Sequence, residues 1–223
     1  MRRLIRTTVA TLILTTPLVL AQTPPVTPPA TPPVTPPAAT TPPVTAPTPA
    51  TTATSDYYPL KTGSTWTYKI AEGDRTVEMK VEKVENGEAT IATTAQGRNV
   101  AKETIKVTAD GVYRTKINDL PVTPPVKLLA LPATKGATWE INSKVQDKAI
   151  TGKMTIKDDK EKLKLKDGKE FECIAVEGTD FKVDGTATKV KMWFSPGKGL
   201  VKLSYEVGGQ EASLEFTDYK EGK

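Results

Sequence analysis

From residue 75 onwards the hydrophobic pattern of this chain runs with a period of two. In "RTVEMKVEKV", Val77, Met79 and Val81 alternate with Glu78, Lys80 and Glu82. In "ITGKMTIK", Ile150, Gly152, Met154 and Ile156 alternate with Thr151, Lys153, Thr155 and Lys157. Successive side chains of a strand point to opposite faces, so each segment predicts a strand with one dry and one wet face. No window offers an i, i+3, i+4, i+7 stripe long enough for a helix, and the nearest, "PPVKLLALP", is fenced by proline at both ends. Asn86-Gly87, Asp110-Gly111, Asp167-Gly168, Asp184-Gly185 and Gly208-Gly209 fall at hairpin spacing and supply the positive φ that tight turns need. The expected fold is all-β: a curved, mostly antiparallel sheet of ten to twelve short strands, a half-barrel or open barrel, over residues 56–223. A segment of that length suffices for one domain with a sizeable core.

The chain ahead of that domain is of another kind. "MRRLIR" carries three arginines, residues 7–20 carry no charge, and "VLA" then precedes "QT", the layout of a secretory signal peptide over residues 1–21 cut after Ala21. The competing reading, an uncleaved anchor, falls short of the roughly 20 apolar residues that a bilayer span needs. A lipid anchor would need cysteine at the cut, where Gln22 stands. The mature protein is therefore expected in the periplasm, in the cell envelope or outside the cell, and not as an integral membrane protein. Residues 22–55 hold twelve prolines, eleven threonines and no charge. Proline fixes φ and removes a donor, so this segment is expected to be a disordered, proline-rich polyproline II linker, a stiff tether that also suits sugar attachment.

Composition excludes several kinds of chemistry. Removing the leader's three arginines from 31 basic residues leaves 28 against 26 acidic ones, a near-neutral chain with no electrostatic case for nucleic acid. There is no histidine, which removes Ser-His-Asp and Cys-His catalysis and the usual zinc sites. The one cysteine, Cys173, cannot close an intrachain bridge; within "EFECIAVEG" it alternates with Phe171 and Ala175 and reads as a small buried hydrophobe. Asp158, Asp159 and Glu161 in "DDKE" lack EF-hand spacing and read as a solvated hairpin tip. Ser195 and Lys198 in "WFSPGKGL" read as turn chemistry, because no phosphate-loop pattern is present. Lys160, Lys162, Lys164 and Lys166 form a basic strip, which reads as an edge strand guarded against edge-to-edge pairing and alternatively as a contact for an acidic polymer. No catalytic residue, metal site or cofactor is expected, and the protein is expected not to be an enzyme.

Two stretches repeat one frame. "PLKTGSTW" (59–66) and "PATKGATW" (132–139) share P-x-x-x-G-x-T-W, 73 residues apart. In each, glycine permits a turn and tryptophan is the first large residue of the strand that follows, so both read as corners that open two similar halves. The functional alternative is a shared apolar cleft. Its candidate ligand-binding residues are Trp66, Trp139 and Trp193, with Phe194 and Tyr205 behind them.

The stretches "YYPLKTGSTWTYKI", "KEFECIAVEGTD" and "KMWFSPGKGLVKLSYE" resemble a family of uncharacterised secreted bacterial β-domains. Its members carry a Y-x-P-L-K-x-G-x-x-W-x-Y opening and a W-x-x-x-G-x-G-L-V-K closing motif, and the resemblance covers nearly all of residues 57–219. It implies curved antiparallel sheets similar to lipoprotein-carrier and lipid-binding half-barrels, and it brings no catalytic residues. Two non-enzymatic readings follow: a module binding a lipid or other apolar ligand on its concave face, or a structural or protein-interaction module of the envelope with a closed core. Whether the inner face is filled by its own side chains decides between them.

Overall fold

The computed structural model describes residues 55–70, 75–207 and 209–223; the expected leader and nearly all of the expected linker lie outside them. Twelve strands follow one another: β1 (Thr65–Ile70), β2 (Thr76–Glu85), β3 (Glu88–Ala95), β4 (Arg98–Thr108), β5 (Gly111–Ile117) and β6 (Leu120–Ala130), then β7 (Thr138–Val145), β8 (Lys148–Lys164), β9 (Glu170–Val183), β10 (Thr186–Ser195), β11 (Gly199–Val207) and β12 (Gln210–Lys220). Each pairs antiparallel with its sequence neighbours, and β1 also pairs with β12, so the curved sheet closes into a barrel. Closure removes the exposed edges that a curved open sheet would present.

The period-two pattern sets what fills this barrel. Val81, Ile91, Ile105, Val112, Leu129, Ile156, Ile174, Val176 and Val201 are enclosed inside, while Glu78, Lys80 and Glu82 lie exposed along β2. Full burial of an aliphatic side chain of this size contributes about 1.5–3 kcal/mol, so these alternating positions dominate the favourable side of folding. Gly152 is the exception on its face: a Cβ there would sit 2.8 Å from Phe181 Cα, so bare backbone is what lets β9 approach.

The two tryptophan frames build the same corner twice. Gly63 and Gly136 both have φ of +86°. The Gly63 amide donates to Val81 O and the Gly136 amide to Ile156 O, both at 2.8 Å. Val81 N returns to Ser64 O, and Ile156 N to Ala137 O, both at 2.9 Å. In the hairpins that follow, Trp66 stands opposite Met79 and Trp139 opposite Met154. β1–β6 and β7–β12 are thus two similar six-stranded halves. The C-terminal tail seals the first corner only: Gly222 N donates to Ser64 Oγ at 3.0 Å, and Lys61 pairs with Glu221.

The two junctions between halves differ. β1 and β12 pair from Thr65 to Ile70 with one bulge between Thr67 and Tyr68, whereas β6 and β7 share only Val122–Val145 and Thr123–Lys144. Shifted by the 73 residues between the frames and the 90 between the starts of β6 and β12, the rung Ile70–Leu214 becomes Ser143–Pro124, next after Thr123–Lys144. The register is therefore common to both junctions, and the ladder lapses where Pro124 and Pro125 bring no N–H.

The hairpin β8–β9 extends beyond the barrel wall. β7 accompanies β8 only as far as Thr155, and from Ile156 onwards β8 pairs with β9 alone. The resulting arm reaches β12: Lys166 N donates to Glu215 Oε2 and Lys169 Nζ to Thr217 O, both at 3.1 Å. The hairpin tip expected at Asp158, Asp159 and Glu161 is not found there: these residues lie within β8 where its register with β9 slips, and the tip is Asp167-Gly168. Glu172 and Glu170 face Lys162 and Lys164 across the arm, so its lysines are interleaved with carboxylates.

Candidate functional site: the junction of the terminal motifs

The opening and closing motifs, more than 120 residues apart in sequence, meet at one end of the barrel. Residues 55–64 precede β1 and lie against the turn between β10 and β11, where Gly197 N donates to Asp56 O at 2.7 Å. Trp66 Nε1 donates to Lys198 O at 2.7 Å and Tyr68 Oη to Leu200 O at 2.8 Å. Gly199, with φ of +77°, leaves room for this: a Cβ there would lie 3.4 Å from Pro59 Cδ and 3.5 Å from Trp66 Nε1. Tyr58 is buried among the rings, with centroids 6.4 Å from Trp66 and 6.3 Å from Phe194. Trp66 lies 5.3 Å from Tyr219, over which Lys198 Nζ sits at 5.4 Å.

What remains empty here is small. Tyr58, Trp66, Tyr68, Met79, Ile91, Gly199 and Leu200 enclose about 10 Å³, room for about one water. Burial, with Glu103 nearby, pushes the Tyr58 phenol above its ordinary value, and burial with Tyr58 nearby pushes Tyr68 up as well. Both hydroxyls therefore stay protonated near neutral pH, and that of Tyr68 serves as a hydrogen-bond donor to Leu200 O.

The five aromatic residues singled out from sequence are distributed over several places. Trp66 and Phe194 meet around Tyr58. Trp139 is half-buried at the β6–β7 junction, its Nε1 donating to Lys127 O at 2.9 Å. Trp193 shares its strand face with Lys189 and Lys191, hence the outer face, and is buried there. Its Nε1 donates to Glu161 Oε1 at 2.9 Å, and Lys191 and Lys202 lie over its ring at 4.7 and 5.5 Å. Tyr205 is half-buried in β11, opposite Val190 and Ala212. Ser195 is buried; it is touched by the main chain of Lys198, N to Ser195 O at 3.1 Å, while the Lys198 ammonium lies over Tyr219.

Several residues that shape these regions were not singled out. Glu215 is buried on the outer face between Lys202 Nζ, 2.9 Å away, and the Lys166 amide. Burial alone would raise its carboxyl, but these two contacts outweigh that and hold it below its ordinary value. Glu103 falls on the same strand face as Ala101, Ile105 and Val107 and is paired with Arg114. A charge at an inward position of an alternating pattern is the signal that would have found it. Asp110 accepts from Thr108, Tyr113 and Lys127, which together hold its carboxyl well below the usual range. Glu82, Ala92, Asn99, Val100, Ala101, Lys102 and Asn118 line an open groove of about 370 Å³.

Among the described residues no group of three acidic, cysteine or histidine side chains could hold a metal ion, and no helix is long and apolar enough to cross a membrane. The charged outward positions of β2 also differ from the apolar outer band by which a barrel crosses a bilayer.

No family model matches the chain, and no curated protein matches it in sequence. Three solved structures are similar to it. A candidate lipoprotein of Parabacteroides distasonis has 14% identity and a TM-score of 0.49, covering 74% of this chain and 98% of its own. A candidate exported protein of Bacteroides fragilis with a YmcC-like fold has 12% identity and a TM-score of 0.49 over the same shares. The hypothetical lipoprotein YmcC of Escherichia coli has 16% identity and a TM-score of 0.35, covering 69% of this chain and 82% of its own.

Proposed function

We propose that residues 56–223 form a non-catalytic, closed β-barrel module of an exported protein, which works through its outer surface at the cell envelope or beyond. The observation that carries this reading is the tight packing at the junction of the terminal motifs. Ligand pockets occupy about 300–1,000 Å³, and the space enclosed around Tyr58 and Trp66 is about 10 Å³. The indoles of Trp66 and Trp139 each latch a main-chain carbonyl, and Tyr58 packs between Trp66 and Phe194, which supports a role for these rings in closing the barrel. Export rests on the basic, uncharged and small-residue succession of residues 1–21, and the proline-rich linker sets the reach of the barrel. An acyl anchor at the expected cut has no thiol to carry it, since Cys173 lies buried in β9.

The test is direct. Protein purified from its native envelope is extracted with organic solvent and analysed by mass spectrometry, and uptake of N-phenyl-1-naphthylamine is measured on the intact barrel. The expected result is no co-purifying lipid and no saturable dye binding. Reproducible recovery of one lipid class at near-equimolar amount would overturn the closed-core reading in favour of an apolar carrier.

A further inference from the structure

Glu103 and Arg114 stand where this barrel should be apolar. Glu103 lies in register between Ile91 on β3 and Ile117 on β5, and Arg114 between Ile105 on β4 and Val126 on β6; all four of these neighbours are buried. An ion pair on an inner wall gains little over apolar residues of the same volume, because taking both charges out of water offsets their attraction. Stability is thus a weak reason for the pair.

The geometry of the pair points elsewhere. Arg114 Nε donates to Glu103 Oε2 at 2.7 Å, and the Arg114 side chain is 33% exposed against 12% for Glu103. A contact through Nε fixes the plane of the guanidinium. It leaves the two Nη groups without a hydrogen bond to a described residue, on a side chain that is partly exposed. A guanidinium held in this way offers parallel N–H donors matched to two oxygens of one carboxylate or phosphate. Tyr58 is close enough for its phenol to feel both charges, Glu103 raising it and Arg114 lowering it. Val126, the rung partner of Arg114, follows Pro124 and Pro125, where the β6–β7 ladder has lapsed.

We propose that Arg114, oriented by Glu103, is the anchor of an oxyanion site in the barrel wall beside the β6–β7 junction, taking a carboxylate or phosphate group either free or as the headgroup of an amphiphile. Arg114 shares the inward face of its rung partners Ile105 and Val126, so the site requires this stretch of the interior to admit an oxyanion and is tested apart from the packing around Tyr58 and Trp66.

The experiment follows the Arg114 side-chain Nε resonance of the intact chain by NMR at low salt while phosphate, acetate, hexanoate or a short-chain phosphatidic acid is added. Saturable shifts of that resonance are expected in the wild type; followed in all variants through the backbone amides of Ile105 and Val126, affinity is about tenfold weaker in Arg114→Lys, which keeps the charge and loses the fork, and binding is abolished in Arg114→Gln. Tighter binding of the two amphiphiles than of the bare ions would assign the headgroup source, and equal binding the free ion. No saturable shift in the wild-type protein with any of the four probes would overturn the proposal. So would unchanged affinity in folded Arg114→Lys. The wild-type measurement stands whether or not a variant folds.

Discussion

Trp66 and Lys198 are joined by a 2.7 Å hydrogen bond from the indole Nε1 to the main-chain oxygen, although a whole strand, β12, lies between β1 and β11. The bond ties the first corner of the barrel to the turn between β10 and β11, so the two ends of the domain become one structural unit. Its counterpart in the other half is shorter in reach: Trp139 bonds Lys127 O on the adjacent β6. The first junction is closed by ladder and indole together, and the second depends far more on the indole.

Trp66→Ala should cost about 3–5 kcal/mol in unfolding free energy, the usual range for truncating a buried aromatic. Trp66→Phe keeps most of the area and orphans the Lys198 carbonyl, for about 1–2 kcal/mol. Trp139→Ala should cost less than Trp66→Ala, because its ring is only half-buried. Urea denaturation of the three variants measures the order. An equal or larger loss for Trp139→Ala would contradict the asymmetry between the junctions.

The glycines of the two corners give a cleaner comparison. Gly136 has φ of +86° and nothing within 4 Å of where a Cβ would be placed, so Gly136→Ala costs only the left-handed backbone, about 1–2 kcal/mol. Gly136→Asn should lose less, since asparagine tolerates that region. Gly63 has the same φ with Gly222 Cα at 3.7 Å, and Gly63→Ala should match Gly136→Ala closely. Thermal unfolding of the set checks this, and a neutral Gly136→Ala would remove the turn from the account of the corner.

Much of this fold was legible because alternation and turn chemistry are local. Val77–Val81 and Ile150–Ile156 announced their strands, and Asn86-Gly87, Asp167-Gly168 and Asp184-Gly185 their turns. Gln96-Gly97, Asn118-Asp119 and Gln146-Asp147 passed unnoticed. Gln96, Asn118, Asp119 and Gln146 adopt positive φ between 49° and 64° themselves, and a search weighted to Asn-Gly and Asp-Gly pairs overlooks them. The repeated frame was visible as two corners, and their matching hydrogen bonds bear this out. What stayed hidden is non-local. That β1 closes on β12, bringing Tyr58 and Trp66 to Phe194 and Lys198, depends on the whole sheet curling round. Trp193 and Phe194 are adjacent in sequence but look to opposite sides, so aromatic clustering in the chain said nothing of clustering in space.

Cys173 offers a probe of the wall around the arm. Burial, aided by Glu161 and Glu172, pushes its thiol up to about 12. At pH 8 the native protein should hold almost no thiolate, and iodoacetamide labelling should be slow and rise sharply when urea unfolds the barrel. Native labelling at the rate of a free cysteine would mean that β9 is exposed where it pairs with β8 at the base of the arm.

Glu215 makes the acid limb of stability predictable. Its folded carboxyl lies below the ordinary 4.5 because Lys202 and the Lys166 amide outweigh the effect of burial. A depressed folded value means that the unfolded chain takes up the proton first. The contribution is therefore complete above pH 4.5 and is lost as pH falls through the lower folded value. Lys166 on the arm and Lys202 on β11 flank the group, and Lys69 stands opposite it on β1. Glu215→Gln should flatten the fall in melting temperature below pH 4.5 while lowering stability at pH 7. Lys202→Ala, which strands a buried carboxylate, should cost about 3 kcal/mol at pH 7 and less at acid pH, where the carboxyl is neutral. A Lys202→Ala penalty that does not shrink between pH 7 and pH 3 would show that Lys202 acts through its packing on Trp193 and not through its charge.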